Sequence, residues 1–405
     1  LGTAAFGTWA LLLTFSAVSG WGSLLDLGLG VATTREVASR HAVDDEPRLG
    51  AAVGTSLLAH LGLGLAAGLL FAAIGPWTLP TLFNTPDHLI RPLRIAIVIF
   101  GVQLAADLLV GGCQAVLDGF QRVDRSRAVE IVRRTLFGSA TAGAAVTTGR
   151  LDAVAVASAV AAVISATVGV VVARRTTRGV RPSVRRQTLV DLLRYGREVL
   201  LLRPLGVLHR TIDRLVVGVV LGPSAVSLVE VVNQLDLGVQ SVVSAASYAV
   251  VPGAARLDAR GDAHRLRELA ETGTRYLLLV CWPLAGAAAV LAGPALDLWV
   301  GPTYADATGL VVLAMVSTLL VAPAQVWSNL LLGTGGVREI LRVALVGIVV
   351  NLAGSIVLVH VVGIAGAFQA TIASSAISLP LLLAATVHHV GGSVGAFLRR
   401  AALPV

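Results

Sequence analysis

Eleven stretches of predominantly apolar residues run through the chain, and they constrain its fold more than any other feature. Each is about 20 residues long, the length that an α-helix needs to cross the hydrocarbon core of a bilayer. Only 13% of the 405 residues are charged, about half the share found in soluble proteins. The sequence therefore predicts an all-α membrane protein. The predicted spans are centred roughly on residues 4–24, 50–74, 95–117, 129–149, 151–173, 199–221, 223–252, 270–292, 308–332, 339–362 and 364–387.

Positive charge lies in alternate loops between these stretches. All 31 basic residues are arginine, and 22 of them follow the first, third, fifth, seventh, ninth and eleventh stretches, against three in the intervening loops. Loops rich in arginine stay on the cytoplasmic side of a membrane. Membrane topology therefore explains the net charge of +8, and no nucleic-acid partner is expected.

This orientation places Leu1 on the outer side of the membrane. A bacterial inner-membrane chain normally reaches that side through an earlier helix, so we expect a further helix before Leu1. The native protein is then expected to have twelve spans, with both termini in the cytoplasm, and to lie in the bacterial cytoplasmic membrane.

The span boundaries repeat at an offset near 220 residues. Residues 1–7 align with residues 221–227, and Gly75-Pro76 aligns with Gly293-Pro294, each pair being predicted to close a span. Six spans in each half make the two repeats parallel, related by a pseudo-twofold axis along the membrane normal. The predicted parts are an N-lobe (1–173) lacking its first helix, an arginine-rich cytoplasmic linker (174–198), a C-lobe (199–390) and a cytoplasmic tail (391–405).

Short motifs also follow one another in a recognisable order. They are Leu25 to Gly30 followed by Arg35; Gly119, Gln121 and Arg122; Asp213-Arg214-Leu215 before Leu221-Gly222; Pro252 with Gly261-Asp262; Gly301 with Tyr304; and Asn351-Leu352 before Gly363-Ile364, Gly366-Ala367 and Ala370-Thr371. In this order and spacing they resemble the polysaccharide-export branch of the multidrug/oligosaccharidyl-lipid/polysaccharide (MOP) flippase superfamily.

That resemblance implies a transporter that flips a polyprenyl-pyrophosphate-linked oligosaccharide from the cytoplasmic to the outer leaflet by alternating access. It implies a lipid-linked oligosaccharide and membrane lipids as partners, with a polysaccharide polymerase and glycosyltransferases as candidate protein partners. A cation-coupled drug or small-molecule antiporter of the same superfamily is the main alternative. A membrane glycan polymerase or ligase fits less well, because the longest outer loop, residues 76–92, is too short for the catalytic domain of such enzymes.

One predicted span carries three arginines on a single helical face. Arg203, Arg210 and Arg214 are spaced by seven and four residues, and this spacing aligns side chains along a helix. Guanidinium groups bind phosphate well at sites of low dielectric constant, so these arginines are predicted to contact the substrate pyrophosphate. Asp213 is included in the candidate substrate site. Alternatively, it pairs locally with Arg210 or with His209.

Polar residues in other spans complete the predicted cavity. Gln234 and Asn233 are candidate partners of sugar hydroxyls, although the residue types alone favour interhelical hydrogen bonding over substrate contact. Asp107 and Glu230 are candidate sites for a coupling proton or sodium ion, because a carboxylate within the membrane usually serves transport or pairs with an unseen arginine.

Arg35 and Asp26 are predicted to form a cytoplasmic gate or headgroup contact at the inner end of the first visible span. The chain has no phosphate-binding GxxxxGK[ST] motif, no nucleophile elbow and no paired metal-ligand motif. We therefore expect no enzymatic activity, no cofactor and no bound metal.

Overall fold

The computed structural model describes residues 1–17, 20–200, 203–248, 250–391, 393–395, 397 and 399. These residues form fifteen α-helices and two short 3₁₀ helices, with no β-strand among them, which confirms the all-α fold class. The α-helices are α1 (Thr3–Leu13), α2 (Leu29–Ala42), α3 (Glu46–Leu82), α4 (Asp87–Gly119), α5 (Val123–Thr148), α6 (Leu151–Thr176), α7 (Arg186–Leu200), α8 (Arg203–Val220), α9 (Pro223–Tyr248), α10 (Val250–Ala259), α11 (Ala263–Val290), α12 (Ala292–Trp299), α13 (Ala307–Gly333), α14 (Val337–Val362) and α15 (Ile364–Val390). The 3₁₀ helices cover Trp21–Asp26 and Pro302–Tyr304.

The helices pack into two compact units. The first unit comprises Leu1–Thr211 and Gly222–Ser227, and the second comprises Ile212–Leu221 and Leu228–Val405. In the first unit, α4 packs against α2, α3, α5 and α6. In the second unit, α13 packs against α10, α11 and α15, and α14 pairs with α15. Helix α4 is thus central to the first unit, and α13 is central to the second.

Seven of the described helices are long and apolar enough to cross a membrane, namely α3, α4, α6, α11, α13, α14 and α15. Each of them coincides with a stretch predicted from the sequence. Helices α5, α8 and α9 also coincide with predicted stretches, but charged and amide side chains interrupt their apolar sequences. Those three helices carry much of the candidate site.

The first predicted span, residues 4–24, is wrong as a continuous helix. Helix α1 ends at Leu13, where the backbone N–H groups of residues 14–16 donate to carbonyl oxygens three residues back. The chain then folds back, so that the N–H of Trp21 donates to the carbonyl of Thr14 at 2.8 Å. Gly20 permits this fold, because a Cβ at that position would overlap the backbone of Thr14.

Gly75-Pro76 does not close a span, contrary to the prediction, because α3 continues through Pro76 and Pro80. Pro80 has no N–H and leaves the carbonyl of Pro76 without its usual helical donor. Nε of Arg94, in α4, donates to that carbonyl at 3.1 Å. The Arg94 guanidinium also lies 5.3 Å from the centre of the Trp77 ring. The neighbouring helix thus supplies the donor that Pro80 lacks.

Small residues let α3 and α4 approach closely. Gly68 lies against the backbone of Gly101, and Gly64 lies against the backbone of Ala105, so that a Cβ at either position of α3 would overlap α4. Such contacts are typical of helix pairs in membranes, where van der Waals packing drives association. This close packing fixes the positions of the polar side chains that the two helices carry.

The predicted linker contains a helix that the sequence analysis did not identify. In α7, Leu192 is buried and Tyr195 is half-buried, and both pack against a cluster that includes Leu29 of α2. Just before α7, the N–H of Ser183 donates to the carbonyl of Gly50 in α3 at 3.0 Å. This part of the linker is therefore anchored on the first unit.

Candidate functional site

A network of charged side chains joins α4 and α5 in the first unit. Arg133 lies 3.9 Å from a carboxylate oxygen of Asp107 and 2.7 Å from a carboxylate oxygen of Glu130. Gln103 donates to Asp107 at 3.5 Å. Arg134 also pairs with Glu130, at 2.6 Å, but its side chain is 75% exposed, compared with 11% for Arg133. Asp107 thus has the arginine partner that the sequence left open, and its role in coupling stays a prediction.

A second polar cluster lies where α2 begins. Asp26 accepts a hydrogen bond from the N–H of Gly30 at 3.1 Å, so its carboxylate lies at the positive end of the α2 dipole. Nε2 of His60, in α3, lies 2.9 Å from the same carboxylate, and Nδ1 of His60 lies 2.8 Å from the carbonyl of Ser56. His60 is only 1% exposed. Each nitrogen of the His60 imidazole therefore lies within hydrogen-bond distance of an oxygen, one from Asp26 and one from Ser56.

The two residues predicted as a cytoplasmic gate make different contacts. Arg35 is exposed, and its guanidinium lies 4.4 Å from the centre of the Tyr195 ring in α7. Asp26 contacts His60. Cation–π contacts of this kind contribute about 0.5–1 kcal/mol at exposed sites. The proposed gate or headgroup role of this pair stays a prediction.

In the second unit, an ion pair joins α8 and α9. The guanidinium of Arg214 contacts one carboxylate oxygen of Glu230, and Gln234 donates to the other at 2.8 Å. Glu230 is 7% exposed, so the pair is largely shielded from water. Two of the predicted substrate-binding residues, Arg214 and Gln234, are therefore brought together through Glu230. Asn233 lies on the same helix and is half-buried.

Asp213, the residue before Arg214, belongs to a different cluster in the second unit. Ser355 of α14 and Thr371 of α15 each donate to its carboxylate at 3.0 Å. Nδ2 of Asn351 donates to the hydroxyl of Thr371 at 2.9 Å. Asn351 is 2% exposed, yet its side-chain oxygen has no hydrogen-bond partner in the described part of the chain. A carboxylate, two hydroxyls and an amide oxygen are thus gathered in one cluster.

This cluster has the chemistry of a small cation site. Carboxylate, hydroxyl and amide oxygens are the ligands that hard cations prefer. Carboxylates within membrane helices are expensive to bury, and they commonly mark the pathways of ions or protons. Among the side chains that the structure describes, those that donate to Asp213 are uncharged, whereas Asp107 and Glu230 each lie close to an arginine. The role of Asp213 in transport stays a prediction.

A further carboxylate in α9 escaped the sequence analysis. Asp236 accepts hydrogen bonds from Thr318 of α13 and from Gln240, the latter at 2.6 Å. The signal was available, because an aspartate in the middle of an apolar stretch is costly on its own. Its partner on α13 lies far away along the chain and gave no local pattern.

Two predicted residues lie outside what the structure describes. Arg203 and Arg210 belong to α8, but their side chains are not among those described, and the same holds for His209. The predicted alignment of three arginines therefore stays a prediction. Among the described residues, no group of three or more histidine, cysteine, aspartate or glutamate side chains is arranged to hold a metal ion.

Several solved structures share the fold of this chain. A multidrug resistance MATE family transporter of the MOP superfamily, in an inward-facing conformation, is 14% identical, with a TM-score of 0.78 over 98% of this chain and 94% of that one. The lipid II flippase MurJ, inward closed, is 10% identical, with a TM-score of 0.71 over 99% and 88%. A MOP superfamily transporter from Pyrococcus furiosus is 13% identical, with a TM-score of 0.60 over 97% and 88%. The fold is that of MOP superfamily transporters, in agreement with the resemblance seen in the sequence.

A family model then gives the more specific assignment. The model described as polysaccharide biosynthesis protein matches residues 1–309, about three quarters of the chain. The chain belongs to this family. A search of curated protein sequences found no match.

Proposed function

We propose that this protein flips a polyprenyl-pyrophosphate-linked oligosaccharide from the cytoplasmic to the outer leaflet of the bacterial cytoplasmic membrane. Membership of the polysaccharide biosynthesis family is the observation that carries the proposal. The fold supports it, since it is shared with a protein described as a lipid II flippase. The fold is equally shared with a multidrug transporter, so family membership is what favours the glycan lipid over a drug.

The arginines of α8 are the proposed contacts for the substrate pyrophosphate. Arg214 is held by Glu230, which keeps a guanidinium in place inside a largely buried site. A phosphate that displaced the carboxylate would gain charge-assisted, bidentate hydrogen bonds. Arg203 and Arg210 are proposed to extend the same positive surface, with Gln234 and Asn233 contacting sugar hydroxyls. Losing one such arginine should cost about 1.5–3 kcal/mol, which is roughly a tenfold to hundredfold loss of affinity.

Coupling is proposed to occur at Asp213. Its carboxylate is held only by neutral donors among the described residues, and the buried oxygen of Asn351 beside it is available to a cation. A sodium ion or a proton at this carboxylate would neutralise a charge that is otherwise costly within the membrane. Binding and release of the ion would then bias the equilibrium between the conformations of the transporter.

Purified protein in proteoliposomes tests both parts of the proposal. A fluorescent polyprenyl-pyrophosphate disaccharide is placed in both leaflets, and a membrane-impermeant quencher reports the fraction in the outer one. Wild-type protein should redistribute the lipid faster when a sodium or proton gradient is imposed. Asp213→Asn should abolish the effect of the gradient, whereas Asp306→Asn, which changes an exposed aspartate at the start of α13, should retain it.

Different variants test the identity of the substrate and the coupling of transport to an ion gradient. Arg210→Ala should slow flipping roughly tenfold to a hundredfold, with Arg210→Lys in between, because lysine keeps the charge but not the bidentate geometry. Failure of the wild-type protein to move the glycan lipid, together with gradient-driven export of a drug, would replace the flippase by the antiporter. Flipping that responds equally to a gradient with and without Asp213 would remove that residue from coupling.

A further inference from the structure

A cavity of about 590 Å³ lies between α5 and α6 in the first unit, separate from the charged clusters described above. Arg125, Arg175 and Arg178 line one part of it, and valines that include Val129 and Val172 line the rest. Pockets that bind small molecules typically measure about 300–1,000 Å³. The cavity is therefore large enough for a headgroup together with the start of a hydrocarbon chain.

The charged part of the cavity is strongly positive. Three arginines line it, and no acidic residue is among its described lining residues. Arg125 is half-buried and is positioned by a hydrogen bond from Nη1 to the hydroxyl of Thr176 at 2.8 Å. Arg175 and Arg178 are exposed and free to reach towards a ligand. Like charges gathered in this way repel one another unless an anion lies between them.

The remaining wall is apolar and belongs to the packed interior of the unit. Val129 is 1% exposed and belongs to the hydrophobic cluster that joins α4, α5 and α6, and the half-buried Val172 packs against that cluster. Val132, one turn further along α5, is 37% exposed, so the apolar wall continues onto the outer surface of the helix. The cavity therefore has arginines in one part and an apolar wall of valines in the other.

We propose that this cavity binds an anionic phospholipid of the surrounding leaflet, with its phosphate among the three arginines and the start of an acyl chain along the valines. Guanidinium groups match phosphate oxygens in charge and geometry. The arginines occur at the ends of two adjacent helices where the sequence predicts the cytoplasmic interface, and basic residues at that interface attract anionic lipids. A free phosphate ion would satisfy the arginines but would leave the valine wall uncovered, so we favour a lipid as the occupant.

Native mass spectrometry of the purified full-length protein, titrated with phosphatidylglycerol or with phosphatidylcholine, tests this site. The pocket variant is Arg125→Gln/Arg175→Gln/Arg178→Gln. The control variant, Arg174→Gln/Arg181→Gln/Arg186→Gln, removes the same charge from exposed arginines of the same region that do not line the cavity. Each basic residue near an anionic lipid raises the affinity by about fivefold. The affinity of the pocket variant for phosphatidylglycerol should therefore be about a hundredfold lower than that of the wild-type protein.

A second pair of measurements separates a lipid from a free anion. Val172→Asn should weaken the binding of phosphatidylglycerol, while inorganic phosphate should compete poorly with the lipid. Equal losses in the pocket and control variants would overturn the proposal, as would equal binding of the two lipids. Competition by inorganic phosphate as strong as that by the lipid would show that the cavity recognises a phosphate alone. Thermal unfolding of each variant in detergent checks that it is folded.

Discussion

The charged network between α4 and α5 allows a buried and an exposed ion pair to be compared, because the carboxylate of Glu130 pairs with one buried and one exposed arginine. Arg133 and Arg134 both contact Glu130, but their side chains are 11% and 75% exposed. Replacing Arg133 by methionine keeps the length and helix propensity of the side chain. It also leaves Asp107 and Glu130 together in a largely buried site without the cation they share.

The expected magnitudes differ widely. Breaking a buried ion pair from one side costs about 3–5 kcal/mol, and an exposed pair contributes about 0–1 kcal/mol. Arg133→Met should therefore raise the unfolding equilibrium constant by roughly a hundredfold to several thousandfold, whereas Arg134→Met should change it by less than about fivefold. Adding Asp107→Asn to Arg133→Met should recover part of the lost stability, because it removes the buried charge of Asp107, whereas Glu130 keeps its pairing with Arg134.

The chain provides its own reporter for this measurement. Cys113 lies in α4, is fully buried, and is positioned close to Gly169 of α6. In a Cys281→Ala background, the rate of alkylation of Cys113 in detergent reports how often the first unit opens. Equal labelling rates for Arg133→Met and Arg134→Met would refute the argument that burial sets the strength of this network. A decrease of less than about 1 kcal/mol in the free energy of unfolding of Arg133→Met would also refute the argument from burial.

Two further substitutions test the packing of α3. Gly68→Leu should destabilise the first unit by about 1–3 kcal/mol, because its side chain would overlap the backbone of α4. Gly62→Leu, at a position with open space around it, should not lower the stability, because leucine favours a helix more than glycine does. The labelling rate of Cys113 measures both effects. His60→Leu should lower the free energy of unfolding by about 3 kcal/mol, because it removes a buried partner of Asp26. The melting temperature in detergent should fall accordingly. The exposed residue His88 provides the matched control, and a melting temperature as low for His88→Leu would contradict this explanation.

The apolar periodicity of the sequence predicted most helices correctly, because burial in a bilayer requires long uninterrupted apolar stretches. It failed at two places where the backbone depends on tertiary contacts. The chain folds back after Leu13 through Gly20, and in α3 the donor that Pro80 lacks is replaced at the Pro76 carbonyl by Arg94 of another helix. Neither contact leaves a signal in the local sequence.

Some charged residues of the candidate site stood out in the sequence, but their pairings did not. Asp213 stood out as a charge within a span, yet its partners Ser355 and Thr371 lie 142 and 158 residues further along the chain. Hydroxyl residues are common in membrane helices as interhelical contacts, so nothing marked these two. The cost of burying a polar ring in a membrane helix would have singled out His60, and that signal was overlooked.

The hydrogen bond between Arg94 and the carbonyl of Pro76 has a consequence for how the chain enters the membrane. Helix α3 emerges from the ribosome before α4, since domains and segments form in the order of synthesis. The carbonyl that Pro80 leaves unpaired finds its donor only when Arg94 arrives, and an unpaired carbonyl is costly in hydrocarbon. The hairpin of α3 and α4, rather than α3 alone, therefore contains the donor that replaces the one missing at Pro80.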